Sequence, residues 1–390
     1  MKMANTNWDW LEQQLQDWQS QERMRSIVNT EPLGKGYVMR DGRRLLNVAS
    51  NDYLGFAEQA EVDTSLPWGA GASRLVTGSH PVAADFEQQF ASYKGTERVL
   101  LFNSGYAANV GVIAALAGRG DLIYCDRLNH ASIIDGAILS RAEIIRYRHR
   151  DMNELEHLLR QAAPTKRKWI ISDTIFSMDG TIAPLSDLVT LKEKYGAYLM
   201  IDEAHSGGVF GESGRGLAHH MVVADRIDLH MGTFSKAYGR LGAYLACAEP
   251  VYHFLINKAR SFVYSTAMPA VLINSIWQVW LQLQTDSWRR QHVLSLAARF
   301  RQGLTGMGLN IAGSESQIVP LIVGSDAVAN SVQAYLQEEG VLAVAIRPPT
   351  VPEGSARIRF SWTAHHSEQD VDHLLALIDQ MAKKVDISRE

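Results

Sequence analysis

Ala197-Tyr198-Leu199-Met200-Ile201-Asp202-Glu203-Ala204-His205 reads as an apolar strand that ends in acid and imidazole groups. Lys236 follows 34 residues after Asp202, within Gly232-Thr233-Phe234-Ser235-Lys236-Ala237-Tyr238-Gly239. A lysine set among small hydroxyl and glycine residues can form a Schiff base with an aldehyde cofactor. An aspartate at a strand end can keep a pyridine nitrogen protonated. The pair is what pyridoxal phosphate chemistry requires.

Outward from this pair, short apolar runs alternate with helical patterns between about residues 98 and 245. The strand candidates are 98–102, 121–125, 143–147, 169–172, 198–202, 229–231 and 242–247, with helical stretches such as 106–116 and 152–162 between them. Strands that are apolar on both faces and alternate with helices predict an α/β fold, a mostly parallel sheet flanked by helices. Ligands bind beyond the carboxyl ends of such strands. Asp202, His205, Ser104, His130 and Ser177 all follow strand candidates closely, so they can converge there.

The ends of the chain read differently. Trp10, Leu11, Leu15, Trp18 and Met24 predict an amphipathic helix over 8–28 that lies on another surface. Gly34 and Gly36 break it, and Asp41-Gly42 marks a turn between short strands at 36–40 and 44–48. A long helix is expected over 287–307, then strands at 317–323, 341–346 and 357–362, then a helix over 368–385 with Val371, Leu374, Leu375, Ile378 and Met381 on one face. The expected division is an N-terminal helix and short strands (1–48) packing on a smaller C-terminal α+β domain (286–390), with a large cofactor-binding domain at 49–285.

The chain has 390 residues, 46% apolar and 21% charged, with a formal net charge of −4. That is ordinary for a soluble globular protein. No Lys/Arg block suggests a nucleic-acid or membrane surface. The two cysteines, Cys125 and Cys247, make a disulfide framework unlikely and fit a reducing compartment. The first residues lack the apolar core of a secretory signal, and no uncharged apolar run is long enough to span a membrane, so a cytoplasmic enzyme is expected.

Each candidate has a plain reading beside its functional one. Lysines are mostly solvated, but Thr233, Ser235, Gly232 and Gly239 give Lys236 hydroxyl neighbours and close backbone approach. An Asp at a strand end is often a cap; here it can make a pyridine ring an electron sink. His205 can bond a phenolic oxygen, and Glu203 points the other way if the strand pattern continues. Ser104 could be an ordinary helix cap, yet the helix start at Gly105 and Tyr106 offers free N–H groups to a phosphate. His130 can stack on an aromatic ring. Ser177 could be a turn residue, and Tyr264-Ser265-Thr266 a strand edge or further phosphate hydroxyls. Arg357 and Arg359 share one strand face, solvated or gripping a carboxylate.

These segments, with Ser50-Asn51-Asp52-Tyr53-Leu54-Gly55, Gly69-Ala70-Gly71-Ala72-Ser73-Arg74 and Phe176-Ser177-Met178-Asp179-Gly180, resemble the α-oxoamine synthase family of fold-type I pyridoxal phosphate enzymes. The resemblance covers almost the whole chain. Family members condense a small amino acid with an acyl thioester and lose carbon dioxide. Ile346-Arg347-Pro348-Pro349-Thr350-Val351-Pro352-Glu353-Gly354 looks most like the biotin-pathway branch, which implies L-alanine with pimeloyl-CoA or pimeloyl-acyl carrier protein.

The resemblance also implies roles. Lys236 would hold the cofactor aldehyde and move a proton, with His130 over the ring and Asp202 at its nitrogen. Ser177 and His205 would sit near the phenolic oxygen. Gly105, Tyr106 and Thr233 would hold the phosphate, and Ser265 and Thr266 would reach the phosphate of the partner subunit, so a homodimer with shared active sites is implied. Arg359, with Arg357 beside it, would hold the amino-acid carboxylate, and Arg25 and Thr350 the acyl substrate. No metal is expected. Two positions depart from the pattern: Arg240-Leu241 stands where small or β-branched residues are common, and Asp173 where a Glu is frequent. Other members, such as glycine C-acetyltransferase, 5-aminolevulinate synthase or serine palmitoyltransferase, share the cofactor site. An aminotransferase on the same fold is a more distant alternative, and a cofactor-dead regulatory subunit would not need Lys236, Asp202 and His205 together.

Overall fold

The computed structural model describes residues 8–58 and 62–383. The reading of residues 1–7, and positions 384–385 of the expected last helix, lie outside the described residues. The chain divides into two compact units, Asn51–Ser295 and a second formed by Met1–Ser50 with Leu296–Glu390.

The first unit is built on seven strands: β1 (Arg98–Phe102), β2 (Leu122–Asp126), β3 (Glu143–Tyr147), β4 (Lys168–Asp173), β5 (Tyr198–Asp202), β6 (Leu229–Thr233) and β7 (Ala243–Cys247). Their order across the sheet is β1-β7-β6-β5-β4-β2-β3. β2 to β6 pair in parallel, while β7 runs antiparallel to both β1 and β6. Every residue of β2, β4, β6 and β7 is buried, which is why these strands read as continuous apolar runs. β6 reaches Thr233, beyond the expected end at 231, because β7 extends its ladder through the Ala243–Thr233 pair.

Helices pack around this sheet. Helix α1 (Pro81–Lys94) begins with Pro81 at its first position and ends at Gly95, whose φ of 68° is left-handed. It packs Phe86 and Phe90 against Phe234, and Phe90 against Tyr244, with ring centroids 4.8–5.7 Å apart. Trp280, on helix Ala270–Thr285, closes the cluster against Phe90 and Tyr93. Phe234 is thus anchored two residues before Lys236. Helices α2 (Gly105–Leu116) and α3 (Ala131–Ser140) follow β1 and β2 directly and start at the carboxyl end of the sheet.

The second unit holds a four-stranded sheet, Glu31–Gly34, Tyr37–Arg40, Arg43–Asn47 and Val341–Leu342, and a three-stranded one, Ile318–Gly324, Ala356–Ser361 and Val344–Ile346. The single strand expected over 341–346 is therefore two. Val341–Leu342 pairs in parallel with Arg43–Asn47, and Val344–Ile346 pairs antiparallel with Ala356–Ser361. Ala343, buried between them, lets the chain pass from one sheet to the other. Phe300, Phe360 and Trp362 centre the core, with Phe300 5.1 Å from each of the other two rings. The N-terminal helix is shorter than expected, Asp9–Ser20, and none of its residues is buried; Trp10 is 65% exposed. Its apolar stripe is not covered as the pattern predicts.

Among the described residues no helix is long and apolar enough to cross a membrane, and no cluster of metal-ligating side chains occurs. Cys125 and Cys247 are both buried as free thiols.

Candidate active site

Five chain segments meet at the carboxyl end of the sheet in the first unit. They enclose a cavity of about 180 Å³ lined by Gly105, Tyr106, Asn109, His130, Ser132, Asp173, Asp202, Ala204, His205, Met231, Thr233, Ser235 and Lys236. Adjacent parallel strands dictate this convergence, since β4, β5 and β6 all end at one edge.

Asp202 is the last residue of β5 and is buried. Its Oδ1 accepts the Ala204 N–H at 2.8 Å, which starts the turn that carries His205. Its Oδ2 accepts from Asn109 Nδ2 at 2.8 Å. His205 is buried, and its Nδ1 lies 2.6 Å from the Tyr53 hydroxyl. Glu203 turns away from the cavity, as the strand pattern implies, but is buried and paired with Lys94 at 2.7 Å.

Lys236 is half-buried in the turn between β6 and β7. Thr233 Oγ1 donates to Gly242 O at 2.8 Å and accepts the Ser235 N–H at 3.1 Å, which closes the turn around the lysine. The unusual Arg240 braces this turn, donating to Phe56 O at 2.7 Å. That gives the departure a packing role.

Ser104 does what its plain reading says: its hydroxyl accepts the Ala107 N–H at 3.1 Å and caps α2. The cavity wall begins at Gly105 and Tyr106, the first residues of the helix, whose N–H groups have no partner within the helix. A Cβ at Gly105 would lie 3.7 Å from its nearest neighbour, Thr233, so space is kept there that the protein does not fill.

His130 caps α3 and is exposed at the cavity. Loss of water from its ring, with Lys236 adding to it and Asp202 opposing, lowers its pKa below the usual imidazole value. The His130 N–H donates to Asp173 Oδ2 at 2.8 Å. Asp173 is the β4 residue in register with Asp202. Burial, and then the neighbouring Asp202 charge, hold the Asp173 carboxyl well above the usual carboxylate range. The shorter Asp is thus a buried brace beneath His130.

Not every expected residue lines this cavity. Ser177 lies half-buried in a turn that Gly180 N–H closes onto Phe176 O at 2.8 Å and is not among the residues that line the cavity. Ser265 and Thr266 line a separate, small cleft with Arg74 and Asn103, and Thr266 bridges to Ser73. Arg25, Thr350, Arg357 and Arg359 belong to the second unit. There Arg25 donates to Thr350 Oγ1 at 2.9 Å. Both line a cavity of about 680 Å³ together with Arg40 and Arg347. Arg357 and Arg359 are buried, so the solvated-face reading of their strand does not hold. Arg359 donates to Ser361 Oγ at 3.0 Å.

Sequence reasoning assigned no role to Asn109, Ser132, Tyr53 and Lys94. Tyr53 stood inside a quoted motif, but its partner His205, like the Asp202 partner of Asn109, is far along the chain, and nothing local reveals a contact across such separations.

The residues of the first-unit cavity fit pyridoxal phosphate: an amine for the aldehyde, a carboxylate for the ring nitrogen, imidazoles for its face and phenolic oxygen, and a helix start for the phosphate. A family model described as aminotransferase class I and II matches residues 43–378. A protein of Halalkalibacterium halodurans named "Putative 8-amino-7-oxononanoate synthase" is 46% identical, over 94% of this chain and 95% of its own length. One of the same name from Geobacillus kaustophilus is 46% identical, over 95% and 97%. Among solved structures, the serine palmitoyltransferase of Sphingomonas wittichii superposes with a TM-score of 0.89 at 28% identity, over 98% of this chain and 99% of that one. The S. paucimobilis serine palmitoyltransferase with bound PLP-myriocin gives 0.90 at 26% identity, over 97% and 98%.

Proposed function

The chain belongs to the aminotransferase class I and II family and, within it, to the pyridoxal phosphate-dependent α-oxoamine synthases; from that premise we propose that it is an 8-amino-7-oxononanoate synthase. It would condense L-alanine with a pimeloyl thioester, carried by coenzyme A or an acyl carrier protein, and release carbon dioxide and a thiol, in biotin biosynthesis. The observation that carries this reading is the match to relatives of that name, 46% identical over 94–95% of the chain. The arginine-lined cavity of the second unit supports it, since Arg25, Arg40 and Arg347 suit an acyl chain that ends in a carboxylate.

Bound pyridoxal phosphate supplies an electron sink for the α-carbon of the amino acid. The side chains do the rest. Lys236 Nζ would hold the cofactor aldehyde and would accept the α-proton of alanine. Asp202 holds the proton on the pyridine nitrogen, and its two accepted hydrogen bonds fix its carboxylate for that task. His130 would cover one face of the ring and His205 would bond its phenolic oxygen. Gly105 and Tyr106 N–H groups, with Thr233, hold the phosphate. Arg359 grips the alanine carboxylate, with Arg357 behind it. Arg25 and Thr350 hold the far end of the acyl chain. Ser265 and Thr266, set apart from the chain's own cavity, serve the partner's phosphate in a homodimer. The buried free thiols suit a cytoplasmic enzyme.

A serine palmitoyltransferase activity is the second reading, favoured by the TM-score of 0.90. Its weaker identity, 26% against 46%, places it behind. The test is thiol release with L-alanine and pimeloyl-CoA, beside L-serine with palmitoyl-CoA and glycine with acetyl-CoA. Release with the first pair, and 8-amino-7-oxononanoate by mass, is expected. Release only with another pair would move the protein to another branch.

A further inference from the structure

Asn109 is fully buried on α2, and its amide nitrogen donates twice: to Asp202 Oδ2 at 2.8 Å and to Ser132 Oγ at 2.9 Å. Its Oδ1 is buried with no partner. That orientation leaves an acceptor unsatisfied, yet the reverse one would set an amide oxygen against a carboxylate. Ser132 is also fully buried, and its Oγ lies 2.7 Å from His130 Nδ1. The Ser132 N–H donates to the same Nδ1 at 3.3 Å.

The Ser132 N–H can only donate, which makes Nδ1 an acceptor. The Asn109 amide nitrogen donates to the Ser132 oxygen from one side, which leaves the hydroxyl hydrogen turned toward the Nδ1 lone pair. Nδ1 then accepts from both the hydroxyl and the backbone of Ser132. A nitrogen that accepts carries no proton, so the neutral ring carries its proton on Nε2.

We propose that Asn109 and Ser132 are positioning residues: a directional relay, Asp202–Asn109–Ser132–His130, that fixes His130 as its Nε2–H tautomer and ties its ring to the carboxylate of Asp202. The inference deepens the proposed function and rests on it only for the identity of the ring that His130 covers. The relay joins the two walls of the cavity, the end of β5 and the start of α3, through one buried side chain of α2. The ring cannot rotate without breaking a bond to Ser132. Asp202 cannot shift without pulling Asn109 from Ser132.

The test reads the tautomer itself, in cofactor-free protein labelled with [15N]histidine at neutral pH. The His130 signals are identified by their loss in His130→Asn. Wild type should show a bare Nδ1 and a protonated Nε2. Asn109→Leu keeps the volume and removes the donor that orients the Ser132 hydroxyl toward Nδ1, so the Nδ1–H share should rise at least threefold. Ser132→Ala should raise it too, and Ser132→Thr, which keeps the hydroxyl, should restore the wild-type pattern. Should Asn109→Leu fail to fold, the two serine variants carry the test. A wild-type tautomer in Ser132→Ala would overturn the relay and leave the substrate reading standing. No thiol release by wild type with any donor pair would overturn that reading and leave the relay intact.

Discussion

Lys94 Nζ lies 2.7 Å from Glu203 Oε2, both side chains fully buried, and Glu203 is the residue that follows Asp202. The Ala218 N–H donates to the other oxygen, Oε1, at 3.2 Å. The Glu203 backbone carbonyl accepts from Ser206 and Gly207, and its N–H donates to Met231 O. The pair therefore pins the turn that carries Asp202 and His205 from behind the cavity. Lys94→Met leaves a buried carboxylate without its cation, which should cost about 3–5 kcal/mol. Urea unfolding of the cofactor-free protein measures this. The Lys94→Met/Glu203→Gln double variant should recover much of the loss; no recovery would show that the lysine acts through packing alone.

The same pair gives an acid limb to stability. Burial alone would raise the Glu203 carboxyl, but the Lys94 ammonium and then His230 overcome it and hold it well below the usual carboxylate range. A lowered folded pKa means stability that is full above the unfolded value, about 4.3, and lost as pH falls below it. Thermal unfolding followed downward from pH 5 should fall more steeply in wild type than in Glu203→Gln. Parallel curves would remove Glu203 from the acid limb.

Gly105 offers a test of the phosphate cradle. A Cβ there meets nothing closer than 3.7 Å, so Gly105→Ala should leave cofactor-free stability within about 1 kcal/mol of wild type. It should still weaken pyridoxal phosphate binding at least tenfold, because the new methyl takes the space beside the helix start. Fluorescence titration with the cofactor reads this. Unchanged affinity would place the phosphate elsewhere.

Tyr53 and His205 are both buried, with 2.6 Å between the hydroxyl and Nδ1. Tyr53→Phe should cost about 1–2 kcal/mol of stability. It should also shift the pH midpoint of the visible cofactor band, since His205 loses the group that orients it. A stability loss with an unmoved spectrum would leave Tyr53 a purely structural residue.

Much of the fold could be read in advance, for a physical reason. β2, β4, β6 and β7 are buried on both faces, so apolar runs marked them, and the strand-to-turn spacing put Asp202, His205 and His130 at one edge; Ser104 and Ser177, placed there by the same spacing, do not line the cavity. The strand at 341–346 was misread because apolar continuity does not reveal a change of sheet at Ala343. Helix Ala270–Thr285 has no place in the sequence reading, although its buried Ile273, Ile276, Trp280 and Leu283 recur at helical spacing. Asn109 is the clearest gap in the site. Its contact with Asp202 spans 93 residues, and an Asn in an apolar helix has no local signature of what it touches.

The central claim is that Lys236 carries pyridoxal phosphate in the cavity that Asp202 closes. Borohydride reduction of the cofactor-loaded protein, then peptide mapping by mass, tests it directly. The account predicts one pyridoxyl-phosphate adduct, on the peptide that contains Lys236, absent from a Lys236→Ala protein that still folds. An adduct on another lysine, or wild-type turnover in Lys236→Ala, would contradict it.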